Sequence, residues 1–300
     1  MAAAKTPIQS FTRRQNMLSP RYEVYHYRDS HIGEVALHHH DFYEVYLFLS
    51  GDVSYTVENR TYPLQPGDIL LISPLELHQP RIRRAESVYE RMVLWIDRNY
   101  LGQLSTGRTD LTRAFDPTLP GRSNLIRLMP VASRAIQSEM EQLAALTRSD
   151  AYGADLLAQS RFTSLLVELN QVAAAAETSA GQDYVSDCIV DAVLAYINEH
   201  YAEPLTLDEL AAHFYISKYH LLRKFNAQVG APVHRYILQK RLQIARQLMA
   251  GGLSPTEAGH RCGFGDYVSF YRAFRAEYRV SPRSYAQCGP GQEEPDRRAE

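Results

Sequence analysis

The chain has 300 residues, 45% hydrophobic and 22% charged, with 16 Gly, 15 Pro and 3 Cys. That is enough for two domains with cores of their own, and it excludes collagen-like, disordered and disulfide-knotted classes. The formal net charge of −2 advertises no nucleic acid, yet it averages two unlike parts: residues 1–184 hold 18 Lys/Arg against 21 Asp/Glu, whereas 214–286 hold 12 against 3 (Glu257, Asp266, Glu277), a local +9. Cys188, Cys262 and Cys288 fall at no metal or disulfide spacing, as unpaired thiols in a reducing compartment do. There is neither an apolar leader nor a run approaching the ~20 apolar residues of a membrane span, so the chain reads as cytoplasmic, with no membrane partner.

Residues 1–19 read as an N-terminal arm. From about 22 to 96 the pattern is period two in β-formers: Val24-Tyr25-His26-Tyr27, Val45-Tyr46-Leu47-Phe48-Leu49, Val53-Ser54-Tyr55-Thr56-Val57, Ile69-Leu70-Leu71-Ile72 and Val93-Leu94-Trp95-Ile96. Turn signals separate them, among them Ser50-Gly51-Asp52, Pro66-Gly67-Asp68 and Ser73-Pro74. Short strands so spaced predict a small antiparallel sandwich or barrel. Helical periodicity takes over after Pro130, where Ile136, Met140, Leu143 and Leu146 form one apolar stripe and Leu156, Leu157, Phe162, Leu165, Leu166 and Leu169 a second. These predict two antiparallel helices joined near Ser149-Asp150, completing an effector-binding and dimerisation domain over 20–172. The small and polar stretch 173–184 reads as a linker, 185–287 as all helical, and 288–300 as a disordered tail.

Within the strand region, His38, His40, Glu44 and, further on, His78 could converge. Strict alternation puts His38 and His40 on one face and His39 on the other. Three readings stay open: an effector pocket lined by His38, His40, Glu44, Tyr46 and His78 without metal, a metal held by His38, His40, Glu44 and His78, or hydrogen-bonded structural histidines. No cofactor is expected. Of the 20 Tyr, Tyr25, Tyr27, Tyr43, Tyr46 and Tyr55 cluster here; their rings could stack on a sugar, though half-buried sheet positions favour Tyr anyway. Trp95, the one Trp, reads as core. Arg81, Arg83 and Arg84 read as a solvated charge run or as partners for an acidic effector.

The C-terminal part repeats itself. Thr206-Leu207-Asp208-Glu209 and Ser254-Pro255-Thr256-Glu257 both have the form of a capping box, 48 residues apart. Ser217-x-x-x-Leu221-x-Arg223-x-Phe225 is echoed by Asp266-x-x-x-Phe270-x-Arg272-x-Phe274, 49 apart. Each unit is thus a short capped helix, a tight turn and a second capped helix: the layout of a helix-turn-helix, whose second helix enters the DNA major groove. In the first unit Leu221, Leu222 and Phe225 should face the core, with Tyr219, His220 and Arg223 outward; Tyr267, Ser269 and Arg272 take the corresponding places in the second. Arg is the commonest bidentate reader of guanine. A helix over 233–249, carrying Lys240, Arg241 and Arg246, would space the two reading helices for major-groove segments about 34 Å apart.

The run Phe264-Gly265-Asp266-Tyr267-Val268-Ser269-Phe270-Tyr271-Arg272-Ala273-Phe274 through Val280-Ser281-Pro282-Arg283-Ser284-Tyr285, preceded by Cys262-Gly263, resembles the signature of AraC-type transcriptional regulators. Leu207-Asp208-Glu209-Leu210-Ala211 and Ser217-Lys218-Tyr219-His220-Leu221-Leu222-Arg223-Lys224-Phe225 resemble that family's first helix-turn-helix. The resemblance implies DNA contacts from Ser217, Lys218, Tyr219, His220, Leu222 and Arg223 and from Asp266, Tyr267, Val268, Ser269 and Arg272. Ala258-Gly259 departs from the family's Ile-Ala, at a glycine entropy cost of ~1 kcal/mol relative to Ala; Tyr215 and Arg279 stand where many relatives have Gly. His38-x-His40-x-x-x-Glu44, with Gly51, resembles the first metal motif of cupin barrels, and 67–78 loosely resembles the second, although Glu76-Leu77 replaces its glycine turn. AraC-type regulators carry such cupin-like sensory domains, often for sugars.

The expected fold is therefore α+β and multidomain: an N-terminal cupin-like antiparallel β-barrel with a helical pair, then an all-α double helix-turn-helix. The expected function is that of a ligand-responsive, sequence-specific regulator with promoter DNA, a small effector such as a sugar, a second copy of itself and RNA polymerase as partners, and no catalytic residues. A metal-dependent cupin oxygenase or isomerase with an appended helical domain is the alternative, and a sequence-neutral DNA organiser a third.

Overall fold

The computed structural model describes residues 17–30, 35–74, 76–83, 88–119, 121–177 and 187–288. Most of the expected N-terminal arm, linker positions 178–184, Arg84 and the tail beyond 288 lie outside them. The described residues fall into two compact units.

The first unit runs β1 (Tyr22–Asp29), β2 (Tyr43–Ser50), β3 (Val53–Val57), β4 (Arg60–Pro63), β5 (Ile69–Ile72), β6 (His78–Ile82), β7 (Tyr89–Ile96), α1 (Arg98–Leu104), β8 (Leu125–Ile126), α2 (Pro130–Leu146) and α3 (Ala154–Glu177). Its strands form a five-stranded sheet ordered β1-β7-β2-β5-β8 and a three-stranded sheet ordered β4-β3-β6, all pairs antiparallel. The expected barrel is thus two facing sheets rather than one closed cylinder.

Strands β2, β5 and β7 of the larger sheet are buried on both faces, which explains why they read as near-continuous apolar runs, whereas the edge strand β1 is mostly half-buried. Val45 and Leu47 of β2, Ile69 and Leu71 of β5, and Met92, Leu94 and Ile96 of β7 pack against α2 and α3. Their alternates, Tyr46 and Phe48, Leu70 and Ile72, and Tyr89, Val93 and Trp95, meet Val53, Tyr55, Val57 and Tyr62 of the smaller sheet. Alternation puts Glu44 on that second face too, opposite Trp95 in the β2–β7 register.

Helix α3 corrects one expectation. Phe162, Leu165, Leu166 and Leu169 are buried, but Leu156 and Leu157 are 68% and 57% exposed. The seam continues backward through Ala158 and Ala154, both buried; at 3.6 residues per turn, positions 154, 158 and 162 share a face that 156 and 157 do not. The helix also carries on through Glu177, so the alanine run taken as the start of the linker is its last turn.

The second unit consists of α4 (Cys188–His200), α5 (Leu207–His213), α6 (Lys218–Val229), α7 (Val233–Ala250), α8 (Pro255–Arg261), α9 (Tyr267–Tyr278) and α10 (Pro282–Cys288). Leu242, Ala245 and Met249 of α7 pack with Ala258, Cys262, Phe270 and Phe274 as the core of the second repeat. On the other side of α7, Tyr236 meets Phe225 edge to face, with ring centroids 5.8 Å apart. Helix α7 is therefore the shared spine. Burial pushes the Cys262 thiol up to about 11, so it stays protonated at neutral pH and behaves as a small apolar group. No helix among the described residues is long and apolar enough to cross a membrane.

Candidate functional site

Two regions of the molecule, one exposed and one buried, carry the residues singled out in the sequence. In the second unit, α5 opens on a complete capping box: Thr206 Oγ1 accepts from the Glu209 N–H at 3.2 Å, and Glu209 Oε2 accepts from the Thr206 N–H at 2.8 Å. Its counterpart before α8 is half a box. Ser254 Oγ accepts from the Glu257 N–H at 3.2 Å, but the Glu257 carboxylate accepts from Arg261 Nε at 2.8 Å. Both second helices are capped as the spacing predicts, α6 by Ser217 on the His220 N–H and α9 by Asp266 on the Ser269 N–H. Those bonds hold the Asp266 carboxyl below the usual carboxylate range, the Ser269 backbone N–H being the main cause.

Leu221 and Phe225 in α6, and Phe270 and Phe274 in α9, have no exposed surface. Arg223 and Arg272, two places after the first of each pair, are exposed, as are Ser217, Lys218, Tyr219, Asp266, Tyr267, Val268 and Ser269, while His220 is half-buried. Leu222 was expected in the core and is 39% exposed. Position 222 follows the buried Leu221 by one residue, 100° around the helix, which carries it out beside Tyr219 and Arg223.

The turns follow the repeat too. Tyr215 and Gly263, 48 apart, both have positive φ, at 54° and 78°. So do Gly230 and Arg279, 49 apart, at 78° and 61°, where α6 and α9 end. Each turn needs a left-handed residue, and each repeat fills one of its two turns with a non-glycine that carries about 1–2 kcal/mol of strain. At 263 the glycine is also required by space, since a β-carbon there would meet the Ala202 carbonyl oxygen at 2.3 Å. Tyr215, which stands where many relatives have Gly, is 96% exposed.

At least half of the basic charge of 214–286 is engaged internally. Lys218 pairs with Asp208, Lys224 with Asp187, Arg235 with Glu277 and Arg261 with Glu257. Arg241 donates to the carbonyls of Tyr201 and Glu203, both at 2.7 Å, closing the end of α4. Arg246 is buried, its guanidinium 5.2 Å from the Tyr278 ring centroid. Arg241 and Arg246 thus serve the spine.

In the first unit, His40, Glu44 and His78 come together between the sheets: a ring nitrogen of each imidazole and a carboxylate oxygen lie within 4.8 Å of one another, all buried. This is the one such group that could hold a metal among the described residues. Glu44 Oε2 lies 3.2 Å from His40 Nε2 and accepts from Trp95 Nε1 at 2.9 Å. His40 Nδ1 is 2.9 Å from the Phe42 carbonyl, and His78 Nδ1 is 2.7 Å from that of Glu76. His38 stays outside, half-buried, with Nδ1 2.8 Å from the Ala36 carbonyl. The predicted alternation fails because 38–40 is not a strand: His39 and His40 are both buried.

Glu76, which breaks the resemblance to the second cupin motif, has a structural role. Its carboxylate accepts from Arg122 Nη1 at 2.8 Å, from Asn124 Nδ2 at 3.0 Å and from the Ser73 N–H at 2.7 Å, fixing the turn that delivers His78. Around the cluster stand Tyr46 and Tyr89, joined through their hydroxyls at 2.6 Å, and Tyr55, whose ring centroid is 4.9 Å from that of Tyr46. Burial raises the Tyr46 phenol well above its ordinary range. Arg91, paired with Asp29 at 2.5 Å, lies over the rings of Tyr27 and Tyr89. Trp95, Tyr89 and Arg91 were missed as lining residues; a cross-strand register places them there, and no local spacing encodes it.

A model of AraC-like ligand-binding domains matches residues 22–166, and a model of helix-turn-helix domains matches 210–287. The HTH-type transcriptional activator RhaS of Klebsiella pneumoniae is 26% identical over 251 residues, 83% of this chain and 87% of that protein. RhaS of Salmonella heidelberg is 24% identical over the same shares. Among solved structures, the C-terminal domain of AraT, a response regulator from Geobacillus stearothermophilus, is similar at 26% identity over 37% of this chain and 93% of that one, with a TM-score of 0.34. ToxT from Vibrio cholerae O395 is similar at 14% identity over 90% and 98%, with a TM-score of 0.35. Two family models that match consecutive parts of the chain, the second over the duplicated capped helices, agree with the motif resemblance: the chain belongs to the AraC-type family of DNA-binding transcriptional regulators, with an N-terminal ligand-binding domain.

Proposed function

We propose that the protein is a cytoplasmic, effector-responsive regulator that reads two major-groove segments of a promoter with α6 and α9 and senses a sugar or similar polyhydroxylated metabolite between its two sheets. The observation that carries the DNA part is the matched exposure of Arg223 and Arg272 on capped helices whose Leu221/Phe225 and Phe270/Phe274 anchors are buried at the same spacing. Ser217 and Asp266 act chiefly as caps. Tyr219, His220 and Leu222 on one helix, with Tyr267, Val268 and Ser269 on the other, supply further base and phosphate contacts, while Lys218 is held by Asp208 and meets DNA only if that pair opens.

For the effector, support comes from the aromatic and polar lining: the faces of Tyr46, Tyr55 and Trp95 suit a sugar ring, and His40, Glu44 and His78 suit its hydroxyls. Helices α2 and α3, with Leu156 and Leu157 exposed, support dimerisation, so that two chains engage repeated half-sites. Effector binding acts by population shift, changing how the first unit restrains the second. The protein is a regulator rather than an oxygenase or isomerase, and RNA polymerase is the target of its output.

The test is a binding-site selection from random duplexes, followed by anisotropy titrations on the selected duplex and a scrambled one. Arg223→Ala and Arg272→Ala should each lose ~1–3 kcal/mol on the selected site and relax preference at one or two base pairs. Wild-type selectivity in both variants would remove these helices as readers. A melting screen against sugars and small acids addresses the effector, because a ligand at 100 times its Kd adds about 2.7 kcal/mol.

A further inference from the structure

Building on the reading of α6 as a DNA-reading helix, we infer that Tyr215, in the turn before it, is a phosphate anchor. Its hydroxyl donates to a phosphate oxygen beside the base pairs that α6 reads, and so fixes how that helix enters the major groove.

The turns of the two repeats are built alike. At the end of α5 the Tyr215 N–H donates to the Ala212 carbonyl at 3.2 Å and the Ile216 N–H to that of Ala211 at 3.0 Å. At the end of α8 the Gly263 N–H donates to the His260 carbonyl at 3.0 Å and the Phe264 N–H to that of Gly259 at 3.1 Å. This paired-bond ending takes a left-handed residue, ordinarily glycine, at the position that Tyr215 and Gly263 share. Gly263 is obligatory, because the Ala202 carbonyl leaves no room for a β-carbon. At 215 the turn is open: the tyrosine is held at φ 54° with its side chain in solvent, and no hydrogen bond or ring contact to another described residue engages that side chain. Glycine there would relieve the strain and surrender almost no buried surface. A strained residue that holds nothing inside the molecule marks a functional position.

Its place in the motif says what it meets. The first helix of a helix-turn-helix crosses the DNA backbone and the second lies in the groove, so a side chain on the turn between them stands where backbone gives way to groove. The polar side chains next along the chain are engaged. Ser217 caps α6 on the His220 N–H, and Lys218 is paired with Asp208. Tyr219 and Arg223, four apart, share the face of α6 turned to the bases. Tyr215 is the donor left for the backbone at the start of α6. Tyrosine hydroxyls are established phosphate donors in protein–DNA interfaces, and a phenol supplies that bond without a formal charge.

The experiment titrates the full chain on the selected duplex and on a scrambled one. Tyr215→Gly should melt no lower than the unaltered chain and yet bind both duplexes about 5–20-fold more weakly. Tyr215→Phe, which keeps the ring and loses the hydroxyl, should show the same loss. Because a phosphate contact is blind to sequence and the phenol is uncharged, neither variant should change base preference or salt dependence. A scan of the selected duplex with single methylphosphonates should find a position whose neutralisation weakens the unaltered chain more than Tyr215→Phe. Full affinity in Tyr215→Phe overturns the proposal. So does a loss confined to the selected duplex, which would make Tyr215 a base reader, and so does a lower melting temperature in Tyr215→Gly, which would make it a structural residue. Arg223→Ala keeps the two readings apart: unchanged selectivity in that variant removes α6 as a reading helix, whereas lost selectivity there beside normal binding by Tyr215→Phe removes the phosphate anchor alone.

Discussion

A β-carbon at Gly259 would come within 2.9 Å of the Phe270 ring, in the core that supports the second reading helix. By helix propensity alone, Gly259→Ala gains about 1 kcal/mol. Overpacking a tight core costs about 1–3 kcal/mol, so the variant should lose stability on balance, seen as a lower urea midpoint at unchanged slope. An unchanged or raised midpoint would mean that the α8–α9 contact is loose. The glycine read as a local entropy penalty from sequence because its reason, a ring 11 positions away, is tertiary. Glu76 reads the same way: along the chain it is a departure from a motif, and in space it is the partner of Arg122, with side chains 9% and 6% exposed. Removing one member of such a buried pair strands the other charge, so Arg122→Ala should cost about 3–5 kcal/mol in chemical denaturation. A loss under 1 kcal/mol would show that water reaches the site.

At the scale of elements, the most legible features were those encoded within one turn of chain. The caps at Thr206, Ser217, Ser254 and Asp266 are all where hydroxyl and carboxylate spacing put them, because a cap bonds to N–H groups two or three residues on. Alternation found the main strands for the same reason. It failed at 38–40, where the chain leaves the strand, and at Leu156 and Leu157, where apolar residues fall off the face that Ala154 and Ala158 define. The caps also set a pH response. Backbone N–H groups stabilise the ionised carboxylates of Asp266, through Ser269, and of Glu209, through Thr206, and hold both below their ordinary range. Since the folded-state values are depressed, the stabilisation is complete above the unfolded range near about 4 and is lost as pH falls through the folded values. Acid should therefore fray α5 and α9, with thermal midpoints falling below about pH 4. Asp266→Asn, which still caps but does not titrate, should flatten the acid limb; the same limb in the variant would place the titrating group elsewhere.

For the whole molecule, the charge asymmetry located the DNA-binding part but overstated what that part can offer to phosphates. The net +9 of 214–286 was legible from composition. Its deployment was not, because composition cannot say that Lys218, Lys224, Arg235 and Arg261 face carboxylates or that Arg241 and Arg246 hold the spine. Counterion release gives a slope of log K against log salt of about −0.9 per phosphate neutralised on duplex DNA. Twelve engaged cations would give a slope near about −11, whereas at most six lie outside that internal set, with Arg223 and Arg272 among them, and these hold it to about −5 per chain or shallower. Titrations of a selected duplex between 50 and 300 mM salt should find the shallower value, and Arg223→Ala should reduce it further only if that side chain also meets a phosphate. A slope near −11 would mean that the internal pairs open on binding and that their carboxylates are displaced by DNA. In that event Asp187 and Asp208 would act as competitors for the binding surface, and Asp208→Asn would tighten binding in proportion to the charge it releases.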